Sequence, residues 1–476
     1  MNHFNNILHS PEGRRLEYKK DVPSNSDLAK TVVAFANDAG GDIYIGIDDK
    51  RNIIGLPEDD LPRIEELISN MVYDRCYPTI LPEISFFMAE DKHLIRIRIY
   101  RGSMPPYYLK NEGKLKGTYI RIGSNNRMAD ESLIAELERK RRNVSFDSEI
   151  VLDKTVEELN INGLKKLYKE KTEETLDIHV LRKLELIRNE QGKEYPTNAL
   201  ILFSDDALRS SLFPNAKIEC ARFKGTGTED FIDQKSITGS IGIQAEEAYN
   251  FVLRHINKGA KVEGIYTVSR WEYPIKAIRE VIRNAIVHRQ YSLTGKDIKV
   301  AIYDDMVEIT SPGLLPPSID YSDMESRQSD ARNKIIAPVF KRMGIIDQWG
   351  NGLRLIAAEM KKYPNIELRW KEVGLSFQVQ FYNKLYKTTN VVDNVVDNVV
   401  DNVVDNVVDK LTDRQHQIIQ LIKENNMISA AQIASKLSMT HRTIQRDLTR
   451  LRHLNILNRI GANKGGHWEI NTKVEK

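Results

Sequence analysis

The chain has 476 residues, 41% of them hydrophobic, and a formal net charge of +3. That length and apolar content suit three or four domains with real cores and exclude a disordered chain. No run approaches the roughly 18 apolar residues of a membrane span, and residues 1–15 (MNHFNNILHSPEGRR) lack a signal-peptide core, so a cytoplasmic protein is expected. The charge is uneven: residues 410–476 hold 12 Lys/Arg against 5 Asp/Glu, a net +7, which leaves −4 for residues 1–409. A basic module on a slightly acidic body points to nucleic acid. The two cysteines, Cys76 and Cys220, have no metal-type spacing and are expected as small buried hydrophobes.

Residues 12–20 (EGRRLEYKK) read as a strand with Glu17 and Lys19 on one face and Leu16 and Tyr18 on the other. Ser26 is placed to cap a helix to about Asp38, with Leu28, Val32, Phe35 and Ala36 as its apolar stripe and Gly40-Gly41 as its stop. Residues 42–48 alternate as a second strand, with Ile43, Ile45 and Ile47 inward. LEYKK, then AFANDAGGDIYIGIDDKRNIIG, then YIRIGSNNRMAD at 119–130 together resemble a Schlafen/AlbA-type domain over residues 10–140, a family linked to RNA and DNA handling. Some Schlafen relatives are RNases with two glutamates five apart and an Asp after the second strand. The resemblance thus implies Glu12, Glu17 and Asp48 (or Asp49) as metal-holding carboxylates for phosphodiester hydrolysis, with Lys19 steadying a phosphate. Many bacterial relatives are instead DNA-binding regulators. Arg121, Ser124 and Arg127, where a strand runs into a Gly turn, suit backbone phosphates.

Residues 141–260 read as an α/β connecting region. Residues 156–172 and 179–191 are expected as helices, and 198–204 (NALILFS) and 217–223 (KIECARF) as strands. Residues 239–258 begin with a turn and continue as a helix carrying Ala248, Phe251, Val252 and Ile256. Lys224-Gly225-Thr226-Gly227-Thr228 lacks the spacing of a phosphate loop and reads as a turn.

In residues 279–291 (REVIRNAIVHRQY), helical spacing puts Glu280, Asn284 and His288 on one face at i, i+4 and i+8, opposite Ile278, Val281, Ile282, Ala285 and Ile286. An amide oxygen can ligate a hard cation, and a carboxylate can orient or deprotonate a water. Strands over 298–303 and 307–310, joined at Asp304-Asp305, lead into Ser311-Pro312-Gly313. Gly350-Asn351-Gly352-Leu353 opens a helix to about Lys362, where glycines let backbone N–H groups approach phosphates. A strand over 375–381 closes the region. These features resemble the GHKL-type ATP-binding fold shared by gyrase and histidine kinases, in the divergent form that follows a Schlafen/AlbA-like domain in bacteria. The resemblance implies ATP and Mg2+ as cofactors. Glu280 would be the ATPase base, Asn284 the Mg2+ ligand and His288 a neighbour on the same face. Gly350 and Gly352 match the glycine box, and Arg332-Asn333 sits where the family has its lid. Ser311 stands where other members carry, two residues before the glycine (here Gly313), an Asp that holds the adenine amino group. Adenine preference and hydrolysis stay open at this point.

Residues 391–409 repeat Val-Val-Asp-Asn four times and end in Val-Val-Asp, which reads as an expanded linker or an oligomerising helix or ribbon. Thr412-Asp413-Arg414-Gln415 and Ser429-Ala430-Ala431-Gln432 have capping-box form, each ahead of a helix. Ile418, Ile419, Leu421 and Ile422 pack the first helix; Ile433, Ala434 and Leu437 pack the second. A third helix starts at Thr440 with Ile444, Leu448 and Leu451 inward and Arg442, Thr443, Gln445 and Arg446 outward. Residues 456–460 and 467–470, across a turn bearing Lys464, form a two-stranded wing. This resembles the winged helix-turn-helix of bacterial transcription regulators, which implies the third helix in a major groove and Lys464 near phosphate.

The expected fold class is α+β multidomain: a Schlafen/AlbA-like α/β domain (10–140), a connecting region (141–260), a GHKL-like α/β sandwich (261–385), a repeat linker (386–410) and a C-terminal winged helix (411–476). The function expected is a nucleotide-responsive DNA-binding protein, a bacterial transcriptional regulator acting on double-stranded DNA. RNA and a second copy of the chain are further candidate partners. The alternative is an ATP-gated, metal-dependent nuclease acting on RNA such as tRNA in stress or phage defence. A protein kinase of the same ATP fold is disfavoured, because no separate His-bearing dimerisation helix precedes Arg279 and no receiver-like region follows.

Overall fold

A parallel strand pair opens the chain. Strand β1 (Leu16–Lys19) lies beside β2 (Gly41–Ile45), with Leu16 opposite Asp42, and helix α1 (Asn25–Asn37) crosses between them. The computed structural model describes residues 8, 10–263, 266–316, 318–319, 321–325, 330–347, 351–386, 413–437, 439–453, 457–460 and 467–470, and the chain divides into two compact units, 1–388 and 389–476.

In the first unit, helix α2 (Leu61–Arg75) and antiparallel strands β3 (Glu83–Ala89) and β4 (Lys92–Ile99) complete a four-stranded sheet of order β1-β2-β4-β3. Ser24, not Ser26, caps α1: its Oγ accepts from the Asp27 N–H at 3.2 Å. α1 is buried on more than its apolar stripe because the hairpin β5 (Tyr119–Ile122) and β6 (Asn125–Met128) packs against it. Asn37 fixes that packing, donating to the carbonyls of Tyr107 (2.8 Å) and Tyr119 (2.9 Å) and accepting from the Tyr107 N–H. Ile43 and Ile45 join the core under α1, but Ile47 joins Tyr18 and Tyr44 on the opposite face. Gly46, at φ 102°, ends the strand and breaks the alternation the sequence suggests. Helix α3 (Glu131–Arg141) starts at Asp130, whose carboxylate accepts from the Leu133 N–H at 2.9 Å; the charged stretch from Glu138 is its last turn.

The stretch 156–172 holds a short 3₁₀ turn and helix α4 (Asn162–Thr172). Residues 179–191, expected as one helix, divide into helix α5 (Ile178–Lys183) and a hairpin of β7 (Ile187–Glu190) and β8 (Lys193–Pro196). Glu185 at φ 55° ends the helix, and Gln191-Gly192 at φ 50° and 82° makes the tight turn. The run NALILF, expected as a strand, is helix α6 (Asn198–Phe203), buried at every residue. A short apolar run has no polar face to reveal its period, so helix and strand read alike.

Strands β9 (Ile218–Phe223) and β10 (Phe231–Ile237) precede helices α7 (Ile241–His255) and α8 (Ile275–Val287). Strands β11 (Ile298–Ile302) and β12 (Met306–Pro312), helices α9 (Ile336–Arg342) and α10 (Gly352–Met360), and strands β13 (Ile366–Val373) and β14 (Ser376–Asn383) follow. The six strands make one sheet of order β10-β9-β11-β12-β14-β13, with β9 parallel to β11 and the other neighbours antiparallel. One continuous core runs from Val151 to Phe381, so the stretch before residue 260 shares its interior with the stretch after it. Both cysteines are free and buried, as expected. Arg14 ties the N-terminal sheet to this core through Asp38, Glu372 (2.7 Å) and the Leu315 carbonyl (2.7 Å).

The second unit is a three-helix module, α11 (Asp413–Glu424), α12 (Ala430–Lys436) and α13 (His441–His453), with a hairpin of β15 (Leu457–Ile460) and β16 (His467–Ile470). Ile418, Ile422, Ile433, Ile444, Leu448 and Leu451 form its core with Trp468. The Ser429 capping box is present in both halves: Ser429 donates from its N–H to Gln432 Oε1 (2.9 Å), and Gln432 N–H returns to Ser429 Oγ (3.3 Å). Thr412, the Val-Val-Asp-Asn repeat and the wing turn lie outside the described residues. Among the described residues no helix is long and apolar enough to cross a membrane.

Asp147 holds the start of α9, where helix N–H groups have no intrahelical partner. One carboxylate oxygen accepts from both the Ile335 and Ile336 N–H groups at 2.8 Å, and the residue is fully buried. Asp147→Ala is expected to cost about 2–3 kcal/mol of unfolding free energy, and Asp147→Asn, which keeps one acceptor, less than half of that. Denaturant titration checks both, and an unchanged midpoint in the Ala variant would contradict this anchoring role.

Candidate functional site

Helix α8 is apolar on one side because Ile278, Val281, Ile282 and Ile286 enter the core, and its other side carries Glu280 and Asn284. The helix ends at Val287, so His288 is its C-cap rather than a mid-helix residue. Its last carbonyls need donors. Asn333 supplies them, donating through Nδ2 to the carbonyls of Val287 and Arg289 at 2.8 Å, and Arg332 donates to the His288 carbonyl at 2.8 Å and to the Leu314 carbonyl. The expectation that Arg332-Asn333 forms a lid is therefore corrected. Asn333 is buried as a helix cap, and Arg332 is pinned between two backbone segments.

Glu280, Asn284 and His288 line a cavity of about 130 Å³ together with Ser311, Gly313, Arg332 and Gly352. Residues some 70 positions apart thus meet as the sequence suggests, while Gly350 lies outside the described residues. At Gly352 a Cβ would meet the end of the Glu280 side chain, so the start of α10 lies against α8 at that carboxylate. Gly313 is required twice, by a φ of 111° and by the Arg332 guanidinium lying where a Cβ would go. Ser311 Oγ donates to the Ala285 carbonyl at 2.8 Å, fixing β12 to α8 and leaving the hydroxyl lone pairs as acceptors.

Burial raises the Glu280 pKa, against the pull of Arg283 and Arg279, and so moves it towards a general base's working range. Burial, reinforced by Arg332, lowers His288 to about 4, so its imidazole is neutral near pH 7. The buried His288 Nδ1 has no hydrogen-bond partner among the described residues. Sequence reading missed an aromatic wall, Tyr321 and Phe377, packed edge to face at 4.9 Å. Phe377 was legible as a strand residue, but Tyr321 sits in a 3₁₀ turn with no periodic signal.

The N-terminal candidates take partners within the protein. Glu17 is buried and pairs with Arg121 and, at 2.6 Å, with Lys19 Nζ. Arg121 is 1% exposed; it donates to the Gly13 carbonyl (3.1 Å) and Asn126 Oδ1 (2.9 Å) and lies over the Phe35 ring. It cannot meet a phosphate: its charge is neutralised inside the protein. Glu12 accepts from the Tyr18 N–H at 2.7 Å, and the half-buried Asp48 closes its own loop on the N–H groups of Lys50 and Asn52. Among the described residues no three His, Cys, Asp or Glu side chains stand together to hold a metal. Ser124 and Arg127 are exposed at the hairpin, as a phosphate contact requires.

On α13, Gln445 and Arg446 are exposed. Thr440 and Thr443 pair hydroxyl to hydroxyl at 2.9 Å, and Thr440 Oγ1 accepts from the Thr443 N–H, so Thr440 serves as the helix cap and Thr443 is half-buried. Arg414 clamps the buried Asp447 at 2.6 Å, holding α13 to α11, a pairing its place in the capping box did not signal. The Arg442 side chain and Lys464 lie outside what is described.

Family profiles match three parts of the chain: Schlafen, AlbA_2 over residues 12–130; the recG C-terminal profile HATPase_c_4 over residues 295–381; and an HTH domain, HTH_11, over residues 414–467. The chain therefore carries a Schlafen/AlbA_2 domain, a recG-like ATPase-type domain and a C-terminal helix-turn-helix domain. The ATPase-type match begins after α8, so Glu280 and Asn284 join that site on the cavity's geometry rather than on the match. Among solved structures, the DIP2311 protein of Corynebacterium diphtheriae is 17% identical with a TM-score of 0.42, over 99% of this chain and 96% of that one. The N-terminal domain of a RecG-related protein from Nitrosomonas europaea is 24% identical with a TM-score of 0.22, over 27% of this chain and 91% of that one. No curated protein matches the chain.

The low pKa of His288 has a stability consequence. Between its folded value of about 4 and the ordinary 6.5, the unfolded chain binds a proton that the folded chain does not. This stability is fully present above the unfolded value and is lost as pH falls towards the folded one. His288→Gln is expected to flatten the acid limb of unfolding free energy by up to roughly 3 kcal/mol. Urea titrations of both proteins between pH 7 and 4.5 read this difference, and parallel limbs would contradict it.

Proposed function

We propose that this chain, with its Schlafen/AlbA_2, recG-like ATPase-type and helix-turn-helix domains, is a DNA-binding regulator whose state is set by a nucleotide in the central cavity. The observation that carries the reading is the convergence of Glu280, Asn284, Ser311, Arg332 and Gly352 on that one cavity. The donor set fits Mg2+ with ATP. The Asn284 amide oxygen is a hard ligand, and the Ser311 lone pairs can accept from an adenine amino group. The neutral His288 imidazole offers one more hydrogen bond without adding charge. Magnesium ATP would supply the triphosphate charge and the bond to be cleaved, and the role we assign to Glu280, whose pKa burial raises, is to take a proton from water.

Double-stranded DNA is the partner proposed for the second unit. α13 offers Arg446 to guanine O6 and N7 and Gln445 to adenine. Arg446→Ala is expected to cost on the order of 1–3 kcal/mol at a selected site and to flatten discrimination at the base it reads. Titrations of wild type and variant on selected and random duplex check this; equal loss on both duplexes would make Arg446 a phosphate contact.

Nucleotide control is tested with the same duplex in the presence and absence of Mg-ATP. Wild-type affinity is expected to change about fivefold or more. Asn284→Ala should bind DNA as the nucleotide-free protein does and ignore ATP. A variant that still responds to ATP like wild type would remove Asn284, and with it this cavity, from the control.

A further inference from the structure

A second cavity lies within the first unit, between the Schlafen/AlbA_2 domain and the central domain, with about 250 Å³ open to water. Arg14, Arg101, Lys140, Arg332 and Lys334 line it, against the carboxylates of Asp38, Glu136 and Asp330. Those carboxylates are already engaged: Asp38 by Arg14, Glu136 by Arg139 at 3.1 Å and Ser292 at 3.3 Å, and Asp330 by the Ser318 hydroxyl. Two of the cations bind only neutral groups. Lys334 donates to the Asn143 carbonyl at 2.9 Å, and Arg332 to the carbonyls of His288 and Leu314. Lys140 and Arg101 have no hydrogen-bond or ion-pair partner among the described residues.

Lys140, like Arg101 and Lys334, is exposed to solvent at the cavity, with protein atoms packed closely around it. Desolvation is the main force lowering its pKa, with Arg332 and Arg101 acting the same way and Asp38 and Glu136 opposing. The cations lining this cavity outnumber its carboxylates, and like charges gathered in one space repel one another. An anion of more than one charge relieves that, and a guanidinium fork beside an ammonium suits tetrahedral oxyanions.

We propose that this cavity is a phosphate-binding site, in which Lys140, Arg101 and Lys334 hold one phosphate group. The group comes either from free inorganic phosphate or from the terminal phosphate of a nucleic-acid strand. Arg332 and Leu314 line both this cavity and the nucleotide cavity, so the two sites share a wall. The phosphate site does not depend on the nucleotide reading.

The test is calorimetry on the full chain, titrated at constant ionic strength with inorganic phosphate, and separately with a short oligonucleotide bearing either a 5′-phosphate or a 5′-hydroxyl. Saturable phosphate binding is expected in wild type and in Lys140→Arg. The double variant Lys140→Gln, Arg101→Gln should weaken it about tenfold or more. Asn284→Ala should leave it unchanged, which separates this site from the nucleotide cavity. A phosphorylated oligonucleotide that displaces inorganic phosphate, while its hydroxyl counterpart does not, assigns the nucleic-acid source. Binding of inorganic phosphate alone assigns the free anion. Equal affinity in wild type and the double variant, loss in Asn284→Ala instead, or no response beyond that to chloride would overturn the proposal.

Discussion

Glu280 lies against the backbone of Gly352, and any side chain at that position would collide with its carboxylate. This contact marks where α8 and α10 come together at the central cavity. It also takes the carboxylate out of water, which is why its pKa rises. The far end of α8 is fixed independently, by Arg332 and Asn333 donating to its last carbonyls. A helix held at both ends, with its apolar side in the core of a six-stranded sheet, presents Glu280, Asn284 and His288 as a rigid row. Rigid placement suits a site that must hold a metal-bound anion at fixed distances.

Local pattern made much of this legible. The alternation in β11 and β12, the polar row on α8, the glycine at 352 and the inward Ile444, Leu448 and Leu451 of α13 are all short-range signals. What stayed hidden depends on partners far apart in sequence. Arg121 looks like a phosphate ligand at a strand end until Glu17, 104 residues away, is found against it in the interior. Asn333 looks like a lid residue until its amide is found donating to the carbonyls of Val287 and Arg289. NALILF gave no period because α6 is buried on all sides. The carboxylates expected to hold a nuclease metal have partners within the protein: Glu12 the Tyr18 N–H, Asp48 its own loop, and Glu17 the distant Arg121.

The first unit couples its parts through few but specific contacts. Arg14 joins Asp38 at the end of α1 to Glu372 on β13, and Asp147 joins the segment after α3 to the start of α9. Arg332 stands on the wall between the two cavities. A change of charge in either cavity therefore acts on the same guanidinium and on the segment around Leu314 that it holds. That is a physical route by which a nucleotide could alter the N-terminal domain without any large movement of the sheet.

The central claim is that the cavity beneath α8 holds a magnesium nucleotide through Asn284. Calorimetric titration of ATP into the full chain, with Mg2+ and with chelator, tests it most directly. One saturable site that weakens about tenfold or more both on removing Mg2+ and in Asn284→Ala, with the variant still folded, is the predicted result. An affinity that neither change alters would contradict the account.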